Sequence, residues 1–306
     1  MENIKGILVS AIVPMENHIA NGGEKLLGNA SSIKRTPDGK VYISGQMQRH
    51  SLFSAIARLN ESDPNKANTF VSNGDGISNF IEKDLRADLG GFMHPSKGSY
   101  SGRRTSPLSA TPAVALEKSK VGRDLMIRLK LNEESNKEQA LATREFSEID
   151  FMTMNFFLDI STLSITRVFE YEKEFHVKTG YIKHVNEDER KRRVKLFLEA
   201  TNSLTDYANQ ARNAVAGEPQ KVIIVYDDRL SRKASRYFEA SETEQKNILN
   251  ELAERNSKVF IGDDKKETSV SKAYFEALKE LEQSTLFDPC NGDKKIVSFA
   301  DAFPEK

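Results

Sequence analysis

Val41–Leu59, VYISGQMQRHSLFSAIARL, passes from a short β-prone run, Val41-Tyr42-Ile43, through Ser44-Gly45 directly into a helical pattern. Leu52, Phe53, Ile56 and Leu59 recur three and four apart, which predicts one apolar helix face turned toward a core. Ser44 stands where an N-cap is expected, and the turn behind it offers backbone N–H groups and the positive end of the helix dipole. Gln46, Gln48, Arg49 and His50 occupy the first turns. An arginine, two amides and a histidine at such an end suit a phosphate or a sugar–phosphate backbone.

Upstream, Ile4–Met15 (IKGILVSAIVPM) is apolar, β-branched and of strand length, and Asn17–Glu24 (NHIANGGE) is a turn-rich loop around Asn-Gly-Gly. Downstream lies a long polar stretch, Asn60–Ser106, with a short helix expected within Ile77–Asp88 and a loop over Gly90–Gly102. Pro107–Glu117 and Asp124–Leu131 read as strands. Phe151–Ile160 and Ser164–Tyr171 read as a strand pair joined at Ser161-Thr162-Leu163. Asp188–Val215 reads as one long helix, Lys221–Tyr226 (KVIIVY) as a buried strand, and Arg229–Leu286 as largely helical. Without the polar stretch the order is strand, helix, strands, helix, strand. That order matches an α+β, ferredoxin-like fold with long inserts.

The 306 residues suffice for one or two domains with a real core. Forty-five basic residues balance forty-five acidic ones. The balance is local, however. Lys97, Arg103, Arg104, Lys118, Lys120, Arg123, Arg128 and Lys130 face only Glu117 and Asp124 over 97–130, while Glu239, Glu242, Glu244, Glu251 and Glu254 outweigh Lys246 over 239–254. A basic and an acidic face suit a polyanion and self-docking, or two solvated surfaces. The single cysteine, Cys290, excludes a disulfide framework and a cysteine zinc site. Apolar runs stay well short of the roughly 18 residues a membrane helix needs, and Ile4–Met15 lacks a cleavage pattern, so a cytoplasmic protein without membrane contact is expected.

The phosphate-cradling, dinucleotide, zincin, EF-hand and nucleophile-elbow patterns are all missing, so neither cofactor nor metal is expected. No two of His18, His50, His94, His176 and His184 stand at metal-ligand spacing. Asp75, Asp84 and Asp88 read first as turn or helix caps. Arg103-Arg104 is an anion-contacting pair or an ordinary surface pair. Arg190-Lys191-Arg192-Arg193 lies at a helix start, against the dipole, which hints at a partner. Phe53, Phe156, Phe157 and Phe169 read as core, whereas Phe92 and Tyr100 suit base stacking or loop anchoring.

Ile43-Ser44-Gly45-Gln46-Met47-Gln48-Arg49-His50, Asp84-Leu85-Arg86-Ala87-Asp88-Leu89-Gly90-Gly91-Phe92 and Arg103-Arg104-Thr105-Ser106-Pro107-Leu108-Ser109-Ala110, following a first strand that ends in the Asn17–Glu24 loop, together resemble CRISPR-associated RAMP proteins of the DevR autoregulator branch. That branch supplies the repeated backbone subunit of type I Cascade complexes, particularly type I-B. The resemblance runs over most of Ile4–Tyr226. It implies an RNA-recognition-motif-like palm with finger and thumb extensions, the palm falling on 1–60 and 107–226 and the finger insertion on 61–106. The polar stretch 132–149 is assigned to the thumb, and 227–306, where the resemblance fades, reads from its own pattern as a mainly helical extension. It further implies non-catalytic binding of CRISPR RNA, target DNA met through guide pairing, stacking on further copies of the chain, and contact with other Cascade subunits. Carried onto this chain, the RNA contacts fall on Asn17, His18, Asn21, Ser44, Gly45, Gln46, Gln48, Arg49, His50, Arg103 and Arg104. Two alternatives stand beside it. One is a RAMP-type endoribonuclease using His18 or His50 for processing, or Asp84 or Asp88 for target cleavage. The other is a generic single-strand RNA-binding module.

Overall fold

The computed structural model describes residues 3–26, 30–76, 78–93, 103–131, 137–293 and 295–304. His94 and Tyr100 fall outside the described residues, as does 132–136 of the expected thumb.

The main elements are β1 (Gly6–His18), α1 (Gly45–Ser62), β2 (Val121–Leu131), β3 (Lys137–Asp159), β4 (Ile165–Glu172), β5 (Phe175–Lys183), α2 (Glu187–Thr201), β6 (Lys221–Asp227), α3 (Glu242–Glu254), β7 (Lys258–Asp263) and α4 (Val270–Gln283). The central sheet runs β7–β6–β1–β3, each neighbour antiparallel. Beyond β3 the edge is taken in pieces by Leu108–Ala110 and Ala113–Ala115.

One face of this sheet packs on α1, α2 and α4. Val9, Val13, Met154, Phe156, Val222 and Ile224 meet Leu52, Phe53, Ile56, Val194, Phe197 and Ala277 there, all buried. The opposite face of β6 is also buried, with Ile223 and Val225 against Ile248 and Leu252 of α3. A strand covered on both sides is apolar along its covered length, which explains the unbroken Val222-Ile223-Ile224-Val225 run.

β3 is 23 residues long and serves two structures. From Ser147 to Asp159 it pairs with β1 inside the sheet. From Lys137 to Ser147 it pairs instead with β2, forming an antiparallel arm. Leu125, Ile127 and Leu141 stand exposed on that arm. The strand expected at Ser164–Tyr171 does not join Phe151–Ile160. β4 pairs with β5 in a separate two-stranded hairpin, closed by Lys173-Glu174 with Lys173 at a positive φ of 56°.

Two further expectations differ from the structure. The long helix stops at Thr201, where Asn202 caps it, and 202–217 is irregular. The C-terminal part, expected to be largely helical, contributes β7 to the main sheet. Short polar side chains that compete for backbone hydrogen bonds favour such a stop at Asn202-Ser203.

The segment between α1 and Leu108 is fastened by buried ions. Asp84 caps the short helix Leu85–Gly90, accepting from the Arg86 N–H at 2.9 Å. Four residues on, Asp88 is fully buried and pairs with Arg104 Nη2 at 2.5 Å and Arg193 Nη1 at 2.6 Å. Ser164 donates to it from both its backbone N–H and its hydroxyl. Burial alone would raise the Asp88 carboxyl, but the two guanidiniums and Ser164 hold it below the usual carboxylate range. Gly91, at φ 67°, has room for no side chain, because a Cβ would lie 2.5 Å from the Arg104 carbonyl oxygen.

The basic run of α2 likewise works inside the molecule. Arg190 is fully buried and donates to the carbonyls of Ile160, Leu163 and Phe287. Arg192 pairs with Asp63 and Glu189. The dipole cost of basic residues at this helix start is therefore offset by internal partners, with Glu187, Asp188 and Glu189 preceding them in the first turn.

Candidate nucleic-acid interface

α1 begins as its residues dictate. Tyr42–Ile43 pairs with Ala113–Val114, and Ser44, in an extended conformation, accepts from the Met47 N–H at 3.3 Å. The Asn17–Glu24 loop is joined to this cap. Asn21 Oδ1 accepts the Ser44 N–H at 3.0 Å, so the loop and the helix start, far apart in sequence, form one surface. The first-turn N–H groups of Gly45 and Gln46 have no acceptor within the helix. Gln46 and His50, one turn apart, are exposed above them, and Asn17 is exposed at the loop entrance with a positive φ of 46°.

Segment 202–217 seats the loop from the other side. Ala208 donates its N–H to the Ala20 carbonyl at 3.0 Å, and Asn209 Nδ2 donates to Ile19 at 3.2 Å. Asn209 Oδ1 in turn accepts from Arg144 at 3.1 Å, which ties the root of the β2–β3 arm to the same surface. Asn213 Nδ2 donates to the Asn17 carbonyl at 2.7 Å, and the exposed Arg212 lies beside Met126 of the arm. Arg35 and Arg123 converge on the buried Glu145. The result is a polar surface with cations around it, made of the loop, the α1 start and the arm root.

Asn17, Asn21, Ser44, Gly45, Gln46 and His50 are thus brought together, but other expected contacts are turned inward. Gln48 is fully buried, and its Oε1 accepts from the Tyr207 hydroxyl at 2.8 Å. It shares a helix face with Leu52 and Ile56, four and eight residues on, and this places it in the core. His18 is fully buried at the end of β1, where its Nε2 meets Asp150 Oδ2 at 2.7 Å. Burial pushes the Asp150 carboxyl up, but hydrogen bonds from His18 and Ser119 bring it below its usual value. Arg104 is buried against Asp88.

Arg49 is half-buried and donates to Ser106 Oγ at 3.0 Å, to Leu108 O at 3.0 Å and to Gly90 O at 2.9 Å. It is a clamp between α1, the short helix and the Arg103–Ala110 segment. Burial lowers its pKa from the ordinary guanidinium value. The Arg103 backbone pairs with Met93. Its side chain lies outside the described residues. Gln48, His18 and Arg104 are therefore removed from the expected contact set because they are buried, and Arg49 because its guanidinium is held by three internal hydrogen bonds.

Arg144, Asn209, Arg212 and Asn213 were not read from the sequence as part of this surface. Treating Asp188–Val215 as helix hid the last three, although Asn202-Ser203 signals the helix end. Among the described residues no group of three or more His, Cys, Asp or Glu is arranged to hold a metal ion, and no helix is long and apolar enough to cross a membrane.

A family profile described as CRISPR-associated negative auto-regulator DevR/Csa2 matches residues 9–230. The chain belongs to this family. The match spans β1, α1, the arm, the β4–β5 hairpin, α2 and β6, so it includes every element of the polar surface. The fold is also similar to that of solved chains from two assemblies. One is titled a CRISPR RNA-guided surveillance complex (TM-score 0.52, 16% identity, covering 90% of this chain and 99% of that one). The other is titled a CRISPR RNA-guided surveillance complex, pre-nicking (TM-score 0.52, 13% identity, covering 90% of this chain and 99% of that one). No curated protein gives a match.

Proposed function

We propose that this family member is the guide-holding backbone subunit of a type I, specifically I-B, Cascade complex. In this reading it binds CRISPR RNA along its backbone, stacks with copies of itself and other subunits in the cytoplasm, and supports pairing with target DNA without cutting nucleic acid. The observation that carries the proposal is the family match across residues 9–230, and the likeness of fold to surveillance-complex chains agrees with it.

The physics of the surface supports the same reading. A subunit that carries any guide must grip backbone without reading bases, and amides, helix N–H groups and arginines do that. The sheet order β6–β1–β3–edge, with α1 and α2 on one face, fits a ferredoxin-like palm. We assign the finger to 61–106 and the thumb to the whole Val121–Ser147 arm, in place of 132–149. Zero net charge lets copies approach one another without strong repulsion.

The test is to purify the protein from cells carrying its native partners and to extract the bound nucleic acid. A discrete small RNA with several protein copies per strand is the expected result. Heterogeneous fragments, or no RNA, would sink the proposal. In the same preparation Arg212→Ala is expected to weaken binding equally for all guide sequences and to lower the salt slope by about one unit, since it faces phosphate. A guide-dependent loss would refute that contact.

A further inference from the structure

The β4–β5 hairpin carries exposed aromatic rings that the core does not use. Phe169 and Tyr171 on β4 are 51% and 61% exposed, and Tyr181 on β5 is 38% exposed. The pairing places Arg167 opposite Tyr181, Phe169 opposite Thr179 and Tyr171 opposite His176, so these side chains share one face. His176 meets the Phe169 and Tyr171 rings edge-on at 5.5 and 5.7 Å, and the Arg167 guanidinium lies 6.0 Å from the Tyr181 ring centre. Glu170 belongs to the other face, where it pairs with Lys178 at 3.1 Å. Phe169 and Arg167 continue into a cleft of about 280 Å³ at the hairpin root, walled also by Thr105, Ser106, Thr162 and Asp159. The Asp159 carboxylate there accepts from the Ser161 N–H and hydroxyl.

We propose that this face is a stacking platform for the bases of a single nucleic-acid strand, a site separate from the backbone-gripping surface at the α1 start. The proposal rests on the nucleic-acid reading given above. Its occupant follows from the chemistry of the face. Flat rings with hydroxyl, imidazole and guanidinium groups bind bases by stacking and cation–π contact regardless of sequence. On β4, Glu170 and Glu172 alternate with the rings and fall on the opposite face, which suits a polyanion rather than a basic protein segment. Rings two residues apart on a strand stand about 7 Å apart, twice the roughly 3.4 Å spacing of stacked bases, so a strand here is held with its bases splayed.

The experiment uses the full chain with short RNA and DNA single strands of one sequence, each carrying 2-aminopurine, whose fluorescence is quenched on stacking. Wild type is expected to bind and quench. Phe169→Ala and Tyr171→Ala each weaken binding by about tenfold and lose quenching with the salt slope unchanged, whereas Tyr171→Phe keeps both. These rings are exposed, so the thermal midpoint serves as a folding control. Loss confined to RNA places the guide on this face, loss confined to DNA places the target strand there, and loss of both shows a platform for either. Wild-type binding that persists undiminished in the alanine variants overturns this proposal alone. So does a loss of self-association with nucleic-acid binding intact, which would make the face a contact between copies. A wild type that binds neither strand overturns it together with the functional reading.

Discussion

Asp88→Ala is expected to lower the unfolding free energy by about 3–5 kcal/mol, the usual cost of removing one partner from a buried ion cluster. The carboxylate lies fully buried between the guanidiniums of Arg104 and Arg193, themselves buried, and it also holds the N–H and hydroxyl of Ser164. Deleting it leaves two cations facing one another in a dry site, with Glu189 still paired to Arg193 Nε at 2.7 Å. Urea titration with an unchanged m-value is the measurement. The pH dependence has a fixed sign. A carboxyl held below its ordinary value stabilises the fold at and above about pH 4, and that contribution is lost as pH falls through the lowered value. Wild type should therefore lose stability on acidification below that range more steeply than Asp88→Ala. A variant with unchanged stability would return Asp88 to the list of candidate cleavage residues, because a catalytic carboxylate is dispensable to the fold.

The same cluster shows where sequence reading succeeds and where it stops. α1 was legible because Ser44, the apolar repeat at Leu52, Phe53 and Ile56, and the strand before them all agree. β1 and β6 were legible because strands buried on both faces read as near-continuous apolar runs. The arginines of α2 were misread because charge suggests surface, yet Arg190, Arg193, Val194 and Phe197 stand at 0, 3, 4 and 7, the spacing of a single helix face. Gln48 follows the same rule on α1, four residues before Leu52. Periodicity thus held the correct answer in both helices, and residue type overrode it.

The partner of β4 was not legible, because the Lys173-Glu174 turn has none of the usual glycine, asparagine or aspartate signal. β7 was hidden by its acidic, helix-prone flanks. At the site, the α1 start and the Asn17–Glu24 loop were readable as separate pieces. Their union through Asn21 and Ser44, and the cations that segment 202–217 and the arm bring to it, depend on contacts between distant residues.

The second large effect is expected between pH 6.5 and 4, and it belongs to His184. This residue is buried where β5 meets α2, with Nδ1 at 2.8 Å from the Val297 carbonyl and Nε2 at 2.8 Å from the Thr166 hydroxyl. A carbonyl only accepts, so Nδ1 carries the proton and Nε2 accepts from Thr166 in the neutral ring. Burial brings the imidazole down from 6.5 to about 4; the Val297 bond and the acids Asp88 and Glu82 oppose this fall, and Arg104 adds to it. Folded His184 then stays neutral while the unfolded chain takes up a proton, so stability declines as pH drops from about 6.5 to 4, by up to about 3 kcal/mol. His184→Gln cannot titrate, and its stability should stay flatter than wild type through this window. The comparison cancels His50 and His176, which are exposed, and His18, which is unchanged in both proteins. Unfolding midpoints at pH 7.5, 5.5 and 4.5 decide the matter, and parallel decline of the two proteins would show that His184 is not held neutral by the fold. The consequence reaches the segment from Lys295 to Phe303, whose Val297 and Phe299 close over this ring, with Phe299 also against Phe92 at 5.5 Å. Protonation of His184 should therefore loosen the contact that joins the C-terminal segment, Phe92 and the hairpin root before it unfolds the sheet, and amide exchange in 295–303 should rise first as the pH is lowered.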